Sequence, residues 1–145
     1  MIDPLNEYDS TSLSGRPPGR FKIWWLTLRP ATLWAGAAPV FVGSALAARH
    51  GHFSLISAIC ALLGALLIQV GCNLVNDYSD FEKGADDQER LGPARAAAQG
   101  WLTVDELKRG AMISLGLAGL VGVYLTWVGG WPILMLGLAS LLCAV

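Results

Sequence analysis

From residue 53 to residue 75 the chain runs without a single charged side chain, long enough as a helix to cross the hydrocarbon core of a bilayer. Such a run leaves few structural choices. In lipid every backbone amide and carbonyl must find its partner within the protein, and a helix supplies all of them inside the segment itself. Composition agrees, with 54% hydrophobic residues, 14% charged residues and a mean hydropathy of +0.50, too apolar for an ordinary soluble domain. The expected fold is all-α, a multi-pass integral membrane bundle.

Three more apolar runs support this expectation. Residues 31–48 are just long enough to span and carry Pro39 in the middle, where a kink is expected. Residues 110–128 place Ser114, Ala118 and Gly122 on every fourth position, a stripe suited to close helix packing. Residues 131–145 are fewer than the roughly 20 that a span requires, so the chain reads as the front part of a longer membrane domain covering residues 20–145. Residues 1–19 read as a loose polar tail, and residues 21–28 as a short interfacial helix with Lys22 outward and Trp24 and Trp25 toward lipid. Cys60, Cys72 and Cys143 all sit inside apolar runs without metal-like spacing and read as small hydrophobes.

Charge is segregated along the chain. Arg16, Arg20, Lys22 and Arg29 precede the first span, and Lys83, Arg90, Arg95, Lys108 and Arg109 lie between the second and third. Only Arg49 occupies the first hairpin, so the positive-inside rule puts the N-terminus and the second polar segment in the cytoplasm. Nothing in this distribution resembles a nucleic-acid footprint. The lipid bilayer is the expected surrounding.

The second polar segment begins before the apolar run has ended. It reads Asn73-x-x-Asn76-Asp77-Tyr78-x-Asp80, continues through Lys83, Asp86 and Asp87, and closes on Arg90-x-Gly92-Pro93-x-Arg95. On a helix, Asn73, Asn76, Asp77 and Asp80 fall within an arc of roughly 100° and can share one pocket. Magnesium takes oxygen ligands, usually one or two carboxylates beside substrate phosphates, and Asp77 and Asp80 are placed to be those carboxylates. Asn73 and Asn76 can bind a phosphate oxygen or a metal-bound water without adding negative charge. A solvated loop would account for the same acids, but carboxylates that end an apolar helix cost desolvation energy unless they face a cavity.

Two readings are open for the arginines. Arg90 and Arg95 flank a turn that can hold both guanidinium groups near the acidic helix for bidentate phosphate binding, or they anchor the cytoplasmic face. Arg29 likewise either snorkels or supplies a cation to the same pocket, with Pro30 starting a helix. Lys83 is a less specific phosphate contact, and Tyr78 is either a cavity aromatic or a packing residue. Thr103-Val104-Asp105-Glu106 is a capping box that opens the third long helix.

These residues resemble the UbiA-type intramembrane prenyltransferases. The resemblance covers residues 28–109 and rests on Leu28-Arg29-Pro30-x-Thr32, on Asn73-x-x-Asn76-Asp77-Tyr78-x-Asp80 through Gly84-x-Asp86, and on Arg90-x-Gly92-Pro93-x-Arg95 followed by Gly100. The wider family often has aspartate where this chain has Gly84, and Asp86 two residues later points to the naphthoate-prenylating branch. The resemblance implies a bundle of about nine spans with two aspartate-rich motifs facing a central cavity, of which this chain holds the first.

It also implies an activity: Mg2+-dependent transfer of a polyprenyl group from polyprenyl diphosphate to 1,4-dihydroxy-2-naphthoate, giving demethylmenaquinone, diphosphate and CO2 in a bacterial inner membrane. Carried over by position, Asn73, Asp77, Asp80 and Asp86 would serve the metal. Asn76, Tyr78, Lys83, Arg90 and Arg95 would serve the substrate. Another aromatic acceptor such as 4-hydroxybenzoate, or a non-enzymatic truncated membrane protein, is the competing reading. The chain alone, without a second motif, is expected to be inactive. The Asp-Gly-x-x-Ala-Arg signature of the CDP-alcohol phosphotransferases is missing.

Overall fold

In a computed structural model, residues 19–84 and 95–144 are described. The expected tail through Pro18, and the expected site residues Asp86 and Arg90, lie outside them. Among the described residues the chain forms five helices and no strand. They are α1 (Arg20–Leu28), α2 (Pro30–Arg49), α3 (Leu55–Glu82), α4 (Val104–Gly129) and α5 (Trp131–Cys143).

Local chemistry explains where the helices begin. Pro30 opens α2 at a position where its missing N–H costs nothing and its fixed φ suits a helix, and α2 continues through Pro39 to Arg49. Ser54 caps α3 by accepting from the Ser57 amide. Thr103 and Glu106 form the reciprocal capping box of α4, with the Thr103 N–H donating to Glu106 Oε2 at 2.9 Å and the Glu106 N–H donating to Thr103 Oγ1 at 3.2 Å.

α2, α3 and α4 are each long and apolar enough to cross a membrane, whereas α5 is a shorter apolar helix. Large side chains such as Trp34, Phe41, Met112 and Leu120 are exposed along them, as expected of surfaces that meet lipid. α3 and α4 pack most extensively. Their contact uses small groups: Ser114 and Ala118 are buried, Ser114 Oγ donates to the Leu67 carbonyl at 2.7 Å, and Leu115 lies against Gly71.

The densest packing sits at one end. Ile23 of α1, Leu74 and Val75 of α3, Ala96, Ala97 and Leu102 of the α3–α4 connection, and Leu107 and Ala111 of α4 form one buried cluster. Trp24 packs against that cluster, with its ring near Gly110, so it faces protein where a lipid-facing tryptophan was expected. Hydropathy alone does not distinguish these two apolar surroundings. Trp25, one residue on, is exposed.

Helix length places the polar motif. The 28 residues of α3 make a helix of about 42 Å, against a hydrocarbon core of about 30 Å. A core of about 30 Å measured from the Ser54 end would leave the last two turns of α3 beyond it, and this end of the helix packs against α1, residues 95–103 and the start of α4.

Candidate metal and diphosphate site

Asn73, Asp77 and Asp80 lie along the C-terminal end of α3, and the chain folds back onto them at Arg95. There it makes one helical turn, closed by the Trp101 N–H donating to the Ala96 carbonyl at 2.9 Å and the Gly100 N–H donating to the Ala97 carbonyl at 3.0 Å. Gly100 takes φ +65, which this closure demands and glycine adopts without a Cβ clash. The amides at the start of the turn have no partner within it. Asp77 supplies one from α3: the Ala96 N–H donates to Asp77 Oδ2 at 3.2 Å, and the Ala97 amide lies against the same carboxylate.

Asp77 is only 2% exposed, and its second oxygen, Oδ1, is buried with no hydrogen-bond partner among the described residues. Such an atom costs about 1–3 kcal/mol, so it calls for an explanation such as an ion-binding role. Positive charge is close, since Arg29 and Arg95 are both electrostatic neighbours of this carboxylate. Asp80, one turn further along, pairs with Arg95, whose side chain is 6% exposed and whose Nη1 also donates to the Asn76 carbonyl at 3.3 Å. Asp77 and Asp80 thus present two carboxylates on one helix face with arginines beside them. A hard cation bound through one or two carboxylates and substrate phosphates fits this donor set.

Asn73 is buried at 4% exposure and is held at its nitrogen end. Nδ2 donates to the Leu28 carbonyl and to Thr32 Oγ1, both at 2.9 Å, while among the described residues Oδ1 receives a single long bond, 3.4 Å from Gln69 Nε2. The amide therefore ties α3 to the junction of α1 and α2 and keeps oxygen acceptor capacity. At that junction Arg29 has φ 50 and ψ 69, the left-handed region.

The other expected residues are arranged differently. The Asn76 side chain is exposed, and its main-chain carbonyl is what meets Arg95. Tyr78 is turned about 100° round α3 from Asp77 and packs on the buried cluster, with Lys108 Nζ 5.2 Å from its ring centroid. Lys83 is exposed at the C-cap of α3, beside an exposed ion pair between Lys108 Nζ and Glu82 Oε1 at 2.6 Å. Among the described residues no three carboxylate, imidazole or thiol side chains gather as a metal cluster.

Sequence reasoning passed over four contributors. Gln69, a polar residue inside an apolar span, was the available signal for the contact to Asn73. Thr32 was visible as a motif letter without a role. The amides of Ala96 and Ala97 carry no signal in residue type, because they act through the backbone.

Comparison with known proteins converges on one family. Residues 36–145 match the UbiA prenyltransferase family. The "1,4-dihydroxy-2-naphthoate octaprenyltransferase" of Escherichia coli (strain K12) is 42% identical over 109 residues, which cover 75% of this chain and 35% of that protein. The Bacillus subtilis (strain 168) protein of the same name is 32% identical over 120 residues, covering 83% and 39%. The Drosophila melanogaster "UbiA prenyltransferase domain-containing protein 1 homolog" is 33% identical over 118 residues, covering 79% and 30%. The chain thus spans 30–39% of the length of these three relatives. No solved structure matches it. With the family matched over most of its residues, and with Asn73 and Asp77 buried near the end of a long apolar helix, this chain belongs to the UbiA prenyltransferase family.

Proposed function

We propose that the complete protein transfers a polyprenyl group from polyprenyl diphosphate to 1,4-dihydroxy-2-naphthoate. The emergent end of α3 would hold the diphosphate through Mg2+ at the cytoplasmic face of a bacterial inner membrane. The observation that carries this reading is Asp77, a buried carboxylate with one oxygen unpartnered among the described residues, one helical turn from Asp80 and flanked by Arg29 and Arg95. The names of the bacterial relatives support the choice of acceptor. The charge pattern supports the orientation, since Arg20, Lys22, Arg29, Lys83, Arg95, Lys108 and Arg109 gather at the motif end and Arg49 alone at the other.

In the reaction the allylic carbon–oxygen bond breaks with its electron pair leaving on diphosphate, and a ring carbon of the acceptor takes the prenyl carbon. Loss of the ring carboxylate as CO2 then restores aromaticity. A divalent cation held by Asp77 and Asp80, with the Asn73 Oδ1 and Asp86 as further oxygen donors, would neutralise the charge that grows on the departing diphosphate. Arg95 and Arg90 would hold its outer oxygens in bidentate fashion, and Asn76 and Lys83 would contact it from the exposed side. Tyr78 would shape the wall on which α4 packs. The surrounding hydrocarbon keeps water from the allylic centre.

Purified complete protein in liposomes, given polyprenyl diphosphate, Mg2+ and either 1,4-dihydroxy-2-naphthoate or 4-hydroxybenzoate, tests the reading by product mass. The expected direct product is the quinol form, demethylmenaquinol, which oxygen in the workup oxidises to demethylmenaquinone, with CO2 released only from the naphthoate. Prenylated 4-hydroxybenzoate as the sole product would reassign the acceptor, and no transfer to either would overturn the proposal.

A further inference from the structure

Arg29 occupies a costly conformation. Among the described residues it is the one non-glycine with positive φ, and it precedes Pro30, which further restricts its backbone. Isolated strain of this kind costs on the order of 1–3 kcal/mol and persists only where surrounding contacts over-determine it.

Among the described residues, two side chains supply such contacts beside the backbone bond from the Arg29 N–H to the Leu26 carbonyl at 3.2 Å. Thr32 Oγ1 donates to the Arg29 carbonyl at 2.9 Å, where the Thr32 N–H also donates at 2.9 Å. The same hydroxyl accepts from Asn73 Nδ2, whose other hydrogen goes to the Leu28 carbonyl. The carbonyls on both sides of the Arg29 α-carbon are therefore held, one directly by Asn73 and the other through Thr32. Every donor in this set is used, and Asn73 is buried, so water does not substitute for the missing partner if one is removed.

A mere helix junction does not need an arginine there. Glycine would adopt φ 50 without strain, yet the position carries a cation, and that cation lies within electrostatic reach of Asp77. The strain is repaid if the site requires the guanidinium where the left-handed turn puts it.

We infer that Thr32, together with Asn73, is a positioning residue that locks Arg29 in its left-handed conformation so that its guanidinium stands at the acidic end of α3. The inference rests on the proposed diphosphate site. It assigns Asn73 a second task, carried by its nitrogen end, and gives Thr32 a role that acts only through Arg29.

The test uses the complete protein in liposomes, with kcat and KM for geranylgeranyl diphosphate, its Kd, and the thermal midpoint measured for each variant. Thr32→Val keeps the shape and removes both hydrogen bonds, whereas Thr32→Ser keeps both. The expected result is a rise of about tenfold in KM and Kd for Thr32→Val, the scale of one lost buried hydrogen-bond set, with kcat changed far less. Thr32→Ser should stay within about threefold of wild type, the scale of lost methyl packing alone.

On an Arg29→Ala background, Thr32→Val should add no further loss of affinity, because the residue it serves is gone. Kd remains measurable there even if turnover is lost. Wild-type affinity in Thr32→Val, or the same loss with and without Arg29, would overturn the clamp. Asp77→Asn serves as the reference: retained activity there would refute the site itself, whereas an inactive Asp77→Asn beside an unaffected Thr32→Val would refute only the role of Thr32.

Discussion

Asp77→Asn in the complete protein is expected to lower kcat/KM for prenyl transfer by about a hundred- to a thousandfold, comparable with removing one electrostatic contributor to a transition state. The substitution isolates charge from shape. Asparagine is nearly isosteric, and its oxygen can keep accepting the Ala96 N–H at the Oδ2 position. Its NH2 group then falls where Oδ1 is buried with no partner among the described residues. Folding therefore loses little, and removing a buried charge that lacks a full set of hydrogen bonds can raise stability. The predicted signature is an inactive variant whose thermal midpoint is equal to or above that of wild type. That opposition between stability and activity is expected where a residue is retained for chemistry. Activity within a few-fold of wild type would remove Asp77 from the reaction.

Arg95→Met is expected to fail in the opposite way, losing stability along with substrate affinity. The Arg95 side chain is 6% exposed, pairs with Asp80 and bonds the Asn76 carbonyl, so it joins the α3–α4 connection to α3. Removing one partner of a fully buried pair costs about 3–5 kcal/mol. Asp80 is 33% exposed and can recover part of its hydration, so the expected loss is smaller, about 2–3 kcal/mol. Thermal unfolding in detergent reads the first effect and the Kd for a prenyl diphosphate the second. Arg95→Lys should recover only part of both, because an ammonium lacks the planar fork that meets two acceptors at once. A Met variant with wild-type melting and affinity would reduce Arg95 to a surface anchor.

The two variants also show what could be read before the structure. Apolar run lengths identified the helices, because they follow from helical periodicity; the same periodicity put Asn73, Asn76, Asp77 and Asp80 on one arc, of which Asn73 and Asp77 are buried while the Asn76 side chain is exposed. The capping box at Thr103 and Glu106 was legible for the same reason: it is a local pattern with a local partner. What escaped was set by tertiary contacts. Nothing in the letters Ala96 and Ala97 announces that their amides meet Asp77, and Trp24 looks the same to hydropathy whether it faces lipid or the buried cluster. The left-handed turn at Arg29 escaped because the residue type argues against it; among the described residues, Thr32 and Asn73 bond the carbonyls on either side of its α-carbon. Tyr78 shared the motif but not its face, since a step of one residue turns a side chain about 100° round a helix.

The claim that the end of α3 grips diphosphate through a divalent cation is tested most directly by equilibrium binding. A non-reactive thiolo analogue of a polyprenyl diphosphate would be titrated into the complete protein in lipid nanodiscs, with Mg2+ and with EDTA. Saturable binding that needs Mg2+ and disappears in Asp77→Asn is the predicted result. Equal affinity with and without the cation, or in wild type and Asp77→Asn, would contradict it.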